Sequence, residues 1–198
     1  MLRLRHASQE LTVGGTHNEI VLVNSHDGTS SYRLMAGVFR LVCSNGMIVS
    51  ENSIGDVKVA HKGNVRDLVL DGCIEILNRL PEVSESVKEM EALRLTTAEQ
   101  QVFANAALIA RYGEEPAPFK AEKLLTVRRS DDARPTLWNT LNVIQENTVR
   151  GGVGYVLNSE TTGRRSIRRT REVKGIDQNS NLNRALWALA EGMKAIKN

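Results

Sequence analysis

The chain has 198 residues, 41% hydrophobic and 25% charged, with a formal net charge of +3. That is enough apolar material for one compact domain with a real core, which excludes disorder of the chain as a whole. No run approaches the roughly 20 apolar residues of a membrane helix, and Met1-Leu2-Arg3-Leu4-Arg5 lacks the apolar stretch of a signal peptide. With only two cysteines, Cys43 and Cys73, the expectation is a cytoplasmic protein with reduced thiols.

The first third reads as β-structure. Glu19–Asn24 is a short apolar run with β-branched residues, ending at the turn-former His26-Asp27-Gly28. Ser31–Cys43 predicts one bent strand or a strand with a bulge at Gly37. Ser44-Asn45-Gly46-Met47 reads as a hairpin turn, because Asn-Gly accepts positive φ values, and Met47–Ser50 as the returning strand. Asp56–His61 alternates cleanly and predicts a further strand.

The chain then turns helical. Asn64 is placed to cap a helix with apolar positions Val65, Val69, Gly72, Cys73, Ile76, Leu77 and Leu80, stopped by Pro81. Ser84 to about Leu93 predicts a second, weaker helix. Thr96 and Glu99 have the three-residue offset of a capping box, opening a helix that Gly113 ends. Glu114–Pro118 reads as a loop and Lys120–Leu125 as a short helix. Asp132–Arg150 predicts a helix with Pro135 in its first turn, its stripe Leu137, Leu141 and Ile144, and its end at Gly151-Gly152. Residues 153–176 lack a helical period. Ser180 is placed to cap a final helix with Leu182, Leu186, Leu189, Met193 and Ile196 on one face.

Strands first and helices after predict an α+β fold, an N-terminal antiparallel β-sheet followed by a helical part packed on it. The expected organisation is a single domain over 1–198. Its β-rich part is 1–62, its helical part 64–198, and a basic loop or hairpin lies at 153–176.

Charge is distributed unevenly. Residues 1–100 hold 10 Lys/Arg against 13 Asp/Glu (−3), and residues 101–198 hold 16 against 10 (+6). The densest stretch is 164–174, where Arg164, Arg165, Arg168, Arg169, Arg171 and Lys174 face a single acid, Glu172. Lys and Arg displace condensed counterions from nucleic acid, and Arg grips a phosphate with two hydrogen bonds. As an extended strand, the segment would put Arg169 and Arg171 on a face with Ile167 and Arg168 on the other. Arg128, Arg129 and Lys62 extend the predicted nucleic-acid contact, with Lys120 and Lys123 as weaker additions. The competing reading is a solvated basic loop, or an Arg row paired with acids of the first half. Aromatics are only 4% of residues, which favours backbone contact over base stacking.

Several phrases together resemble a known family: Asn24–Tyr32, Phe39–Gly46, His61-Lys62-Gly63, Leu137-Trp138-Asn139-Thr140 with Gln145-Glu146-Asn147 and Arg150-Gly151-Gly152, and Gly175–Asn179 with Leu182–Trp187. The chain resembles the phage/plasmid-like domain-of-unknown-function family 932 over essentially its whole length. The resemblance implies a phage, prophage or plasmid setting, beside genes for DNA repair, anti-restriction and toxin–antitoxin systems. It implies no catalytic residue and no cofactor. It also implies a longer pattern in which many relatives carry an additional N-terminal segment.

Other chemistry finds less support. His26-Asp27 and His61-Lys62 sit at predicted strand ends, but contiguous Ser25-His26-Asp27 seldom adopts triad geometry, and Asp27-Gly28 is explained by turn chemistry. Cys43, Cys73, His26 and His61 match no metal-binding spacing, so no metal is expected. Cys73 lies on the apolar stripe of its helix and reads as a structural thiol. Asn139, Asn142, Gln145, Glu146, Asn179, Asn181 and Asn183 form a polar set on two helices, for bonds between helices or for a binding surface.

The sequence therefore favours a non-enzymatic nucleic-acid-binding protein, an aid to DNA recombination or single-strand annealing, without cofactor. The alternative is an inhibitor of host defence (anti-restriction or anti-CRISPR type) that binds a host or mobile-element protein. A nuclease-like enzyme ranks third. No membrane partner is expected, and homo-oligomers are compatible with the sequence.

Overall fold

The computed structural model describes residues 2–4, 16–23, 32–40, 43–49, 57–59, 64–113, 115–158 and 164–197. The expected turn at His26-Asp27-Gly28, together with His61 and Lys62, lies outside them. By contacts the chain divides into two compact units, Met1–Lys88 and Glu89–Asn198. An antiparallel sheet comes first and most of the helix follows, an α+β fold.

The first unit is built on a five-stranded sheet. Its strands are β1 (Leu2–Leu4), β2 (Thr16–Val23), β3 (Tyr32–Arg40), β4 (Cys43–Val49) and β5 (Val57–Val59). The order is β1-β2-β3-β4, with β5 also pairing β3, every pair antiparallel. β1 is too short to show a period, so alternation could not reveal it. The register joins Ile20 to Ala36 and Leu22 to Leu34, and directly opposed residues share a face. Leu34, Ala36 and Val38 therefore lie on one side, Val21 and Met35 on the other, all buried.

Two turn readings change. Arg40 pairs with Cys43 and Val38 with Met47, the register shifting in between. Asn45-Gly46 thus lies within an irregular stretch of β4 and not at a hairpin tip. Gly37 is regularly paired, with Glu19 and Ile48. A Cβ there would come within 2.9 Å of Glu19 Cγ, so close packing, not a bulge, calls for glycine.

Helix α1 (Val65–Ala92) opens where expected, with Leu68 N–H donating to the Asn64 carbonyl at 3.2 Å. It does not stop at Pro81. A proline inside a helix costs about 3 kcal/mol through the lost N–H and the clash with the preceding turn. Beyond it Val83, Val87 and Met90 are buried, at about 1.5–3 kcal/mol each for a fully buried side chain, and that outweighs the break. The Leu80 carbonyl beside the proline also accepts from Ser84 Oγ (3.1 Å) and Asn18 Nδ2 (3.3 Å). Cys73 is a free, half-buried thiol whose pKa is raised by burial.

The second unit is helical except for one hairpin. Helix α2 (Thr97–Tyr112) carries the expected capping box: Glu99 N–H donates to Thr96 Oγ1 at 3.3 Å, and Thr96 N–H to Glu99 Oε2 at 2.6 Å. Gly113 ends it with φ of 66°. Glu99 also receives Lys197 Nζ at 2.6 Å. The Lys197 bond, then those from Thr96, hold its carboxyl down at about 2. A 3-10 turn covers Ala121–Leu125. Helix α3 (Leu137–Gln145) begins later than the pattern predicts, with Thr136 as its cap and Pro135 outside it. Pro135 instead gives its carbonyl to Leu95 N–H at 2.7 Å.

A single π-helical turn, Glu146–Arg150, continues α3 and ends at Gly151 and Gly152, with φ of 70° and 80°. Next come β6 (Gly154–Asn158) and β7 (Arg165–Arg169), an antiparallel hairpin, and α4 (Ile176–Lys197). Ser180 lies inside α4 and is buried. The helix starts four residues earlier, with Asn179 N–H on the Gly175 carbonyl at 2.8 Å. Both α2 and α3 pack on α4. The Trp138 and Trp187 rings meet edge to face, 6.4 Å between centroids.

Candidate nucleic-acid interface

The site grows out of the C-terminal end of α3. Every residue from Leu137 to Val149 is buried, so this helix presents no solvent face and its polar side chains find partners inside. Asn142 Nδ2 donates to the Trp138 carbonyl (2.7 Å), and Gln145 Nε2 crosses to Asn183 Oδ1 on α4 (2.7 Å). Asn183 Nδ2 in turn donates to Asn179 Oδ1 at 2.6 Å. Bonding between helices thus accounts for Gln145 and Asn183, Asn179 supports Asn183 from within α4, and Asn181 is exposed beside Arg184. Glu146 accepts from Arg129 at 2.7 Å, with Arg150 at 3.7 Å from the same oxygen.

After the π turn the chain reverses over two glycines. At Gly151 a Cβ would meet the Thr170 and Arg171 carbonyls at 2.7 Å, and the positive φ excludes other residues for the same steric reason. Gly152 N–H donates to the Thr170 carbonyl (2.9 Å), and Thr170 N–H to the Val153 carbonyl (3.0 Å). This clamp launches the β6–β7 ribbon. Arg128 Nη2 holds the Gly151 carbonyl and Lys123 Nζ the Gly154 carbonyl, each at 2.5 Å. A backbone carbonyl is neutral, so both cations are fixed in place without losing their charge.

The ribbon's register sorts the arginines. Gly154 pairs Arg169, Tyr155 pairs Arg168, Val156 pairs Ile167 and Asn158 pairs Arg165. One face therefore carries Arg165, Ile167 and Arg169, and the other Tyr155 and Arg168. Arg164, Arg165, Arg168, Arg169, Arg171 and Lys174 are all exposed. Among the described residues none of them pairs with a carboxylate.

The dense basic stretch thus points several ways. Arg169 joins Lys123 and Arg128 around a groove at the foot of the ribbon. Arg171 lies past β7 and lines a second groove, with Arg111 and Tyr112. Arg129 is held by Glu146, its charge balanced where it stands. The candidate Lys62, with His26, Asp27 and His61, lies outside the described residues. Sequence reasoning gave little weight to Lys123 and passed over Thr126 and Asn147, which line the groove beside Arg128. The Gly151-Gly152 pair was the available signal, since it brings the chain back against those residues. Among the described residues, no group of three or more His, Cys, Asp or Glu could hold a metal ion. No helix there is long and apolar enough to cross a membrane.

The family model "Domain of unknown function (DUF932)" matches residues 1–187. The chain belongs to the DUF932 family. It is 44% identical over 193 residues to UPF0380 protein YafZ of Escherichia coli (strain K12), covering 98% of this chain and 68% of that protein. It is likewise 44% identical over 191 residues to UPF0380 protein YfjQ of the same strain, covering 96% of this chain and 67% of that one. No solved structure matches the chain. The DUF932 family carries no assigned chemistry in its description.

Proposed function

We propose that this protein binds nucleic acid through the β6–β7 ribbon, by contact with backbone phosphates. The observation that carries the reading is the set of exposed arginines at 164–171 with no carboxylate partner among the described residues. A surface basic cluster is ordinarily laced with acids where its role is only solubility or stability. Here Glu172 is the one acid within the segment. A two-stranded ribbon is narrow enough to follow a nucleic-acid groove. Arginines on both of its faces suit phosphates on either wall, and scarce aromatics suit backbone contact more than base stacking. The setting we infer from the family resemblance is a phage, prophage or plasmid, where a non-enzymatic binder would aid recombination or strand annealing.

A second reading has one observation in its favour. Ile167 is 83% exposed and pairs with Val156, itself 45% exposed. A protein partner, such as a component of host defence, would cover that apolar pair.

A salt titration separates the two. For the nucleic-acid reading, replacing Arg165, Arg168 and Arg169 together by Ala should reduce the slope of log K against log salt by about 2 to 3, roughly 0.7–0.9 for each lost phosphate contact. Thermal unfolding should stay nearly unchanged, since the three side chains are exposed. Equal affinity of both proteins for single strands, duplex and RNA at every salt concentration removes this reading. A stoichiometric protein partner that survives nuclease treatment and is lost with Ile167→Ser favours the second.

A further inference from the structure

At the foot of the ribbon, between the turn at Ala121–Leu125 and the start of β6, lies a groove of about 550 Å³, within the size range of small-molecule sites. Its walls carry Lys123, Arg128 and Arg169, and no carboxylate among the described residues lines it. Lys123 and Arg128 are each oriented by a single backbone carbonyl, which leaves most of their donors unused. Arg169 has no partner among the described residues. Three cations concentrated without acids favour a multiply charged anion.

The floor supplies a second, independent mark. Asn147 is 2% exposed, and both its amide protons are used, on the Leu124 and Thr126 carbonyls at 2.9 Å each. Those two bonds fix which end of the amide is nitrogen. Its Oδ1 is left without a donor, although buried acceptors are almost always satisfied.

We infer that this groove binds a phosphate monoester, the group a nucleic-acid strand carries at a phosphorylated end. A monoester bears about −1.5 to −2 charges at neutral pH and three acceptor oxygens, which suits three cations better than the single charge of an internal diester. The inference rests on the nucleic-acid reading for the strand, but not for the phosphate itself.

The test uses the full chain and one oligonucleotide sequence with a 5′-phosphate, a 3′-phosphate or hydroxyl ends, with a nucleoside monophosphate and inorganic phosphate as separate arms. One phosphorylated end should bind about tenfold more tightly than the hydroxyl-ended strand, the gain expected of about 1.4 kcal/mol from charge-assisted bonds. Inorganic phosphate should shift the backbone amide signals of Thr126 and Gly152. Lys123→Gln and, separately, Arg128→Gln should bring the phosphorylated and hydroxyl-ended strands to equal affinity and abolish the phosphate-induced shifts. A nucleoside monophosphate that competes fully would identify a free nucleotide as the source of the same group.

Equal binding of all three strands with no phosphate-induced shift overturns the inference, as does an end preference that survives both substitutions. Phosphate shifts without any strand binding remove the ribbon reading and keep the groove. Strand binding without either signature does the reverse.

Discussion

Leu137–Val149 and the ribbon that follows it are neighbours in sequence and opposites in physics. Both mix polar with apolar side chains. In the first, Asn139, Thr140, Asn142, Gln145, Glu146, Asn147 and Thr148 are buried along with their apolar neighbours. In the second, Val156, Leu157 and Ile167 are exposed along with the arginines. Inside the helix, Gln145, Glu146 and Asn147 each find a partner nearby, in Asn183, in Arg129 and in carbonyls of the Ala121–Thr126 segment. On the ribbon, no carboxylate among the described residues pairs with the arginines. Composition alone does not distinguish a polar core from a polar surface; partners do.

The sharpest way to break this contrast is to strip the core of its charge balance. Glu146→Ala leaves the largely covered Arg129 guanidinium, whose Nη1 already lacks a partner, without its Glu146 carboxylate. The expected loss is about 3 kcal/mol of unfolding free energy, the lower end of the range for an orphaned buried charge. Urea denaturation measures it, and a loss below about 1 kcal/mol would put Arg129 in the class of surface pairs.

A smaller effect is expected from the Gln145–Asn183 bond. Replacing both by Ala, with the two single variants, closes a double-mutant cycle. A coupling of about 1 kcal/mol is expected for a buried neutral hydrogen bond between contacting residues. Zero coupling would mean that α3 and α4 are joined by their apolar contacts alone.

The ribbon should show the smallest change. Ile167→Ser removes a side chain already in water, so stability should move by no more than about 0.5 kcal/mol. A larger loss in the same denaturation series would show that Ile167 is packed in solution, and the contrast between the two regions would fail there.

Local signals were legible where local physics decides the outcome. The Thr96/Glu99 box, the Gly113 stop and the Gly151-Gly152 reversal needed only backbone chemistry, and the structure has all three. The basic stretch at 164–174 was visible as a row of charges. Misread features were those with competing claims. Pro81 reads as a stop until the apolar residues after it are seen to be buried. Asn45-Gly46 reads as a turn until the register places Arg40 against Cys43. Ser180 is one of several capping residues in a row, and only packing of α4 against its neighbours chooses an earlier start.

By itself, then, the sequence determined the α+β order of elements, the Thr96/Glu99 cap, the stops at Gly113 and Gly151-Gly152, and where positive charge is concentrated. Only the tertiary structure decided which polar residues face inward and which arginines face one another. It alone brought Lys123, Arg128 and Arg169 together across more than 40 positions of chain. The reason is range. Backbone preference and charge act over a few residues and can be read along the chain, whereas burial and the meeting of distant side chains are fixed only when the whole core closes.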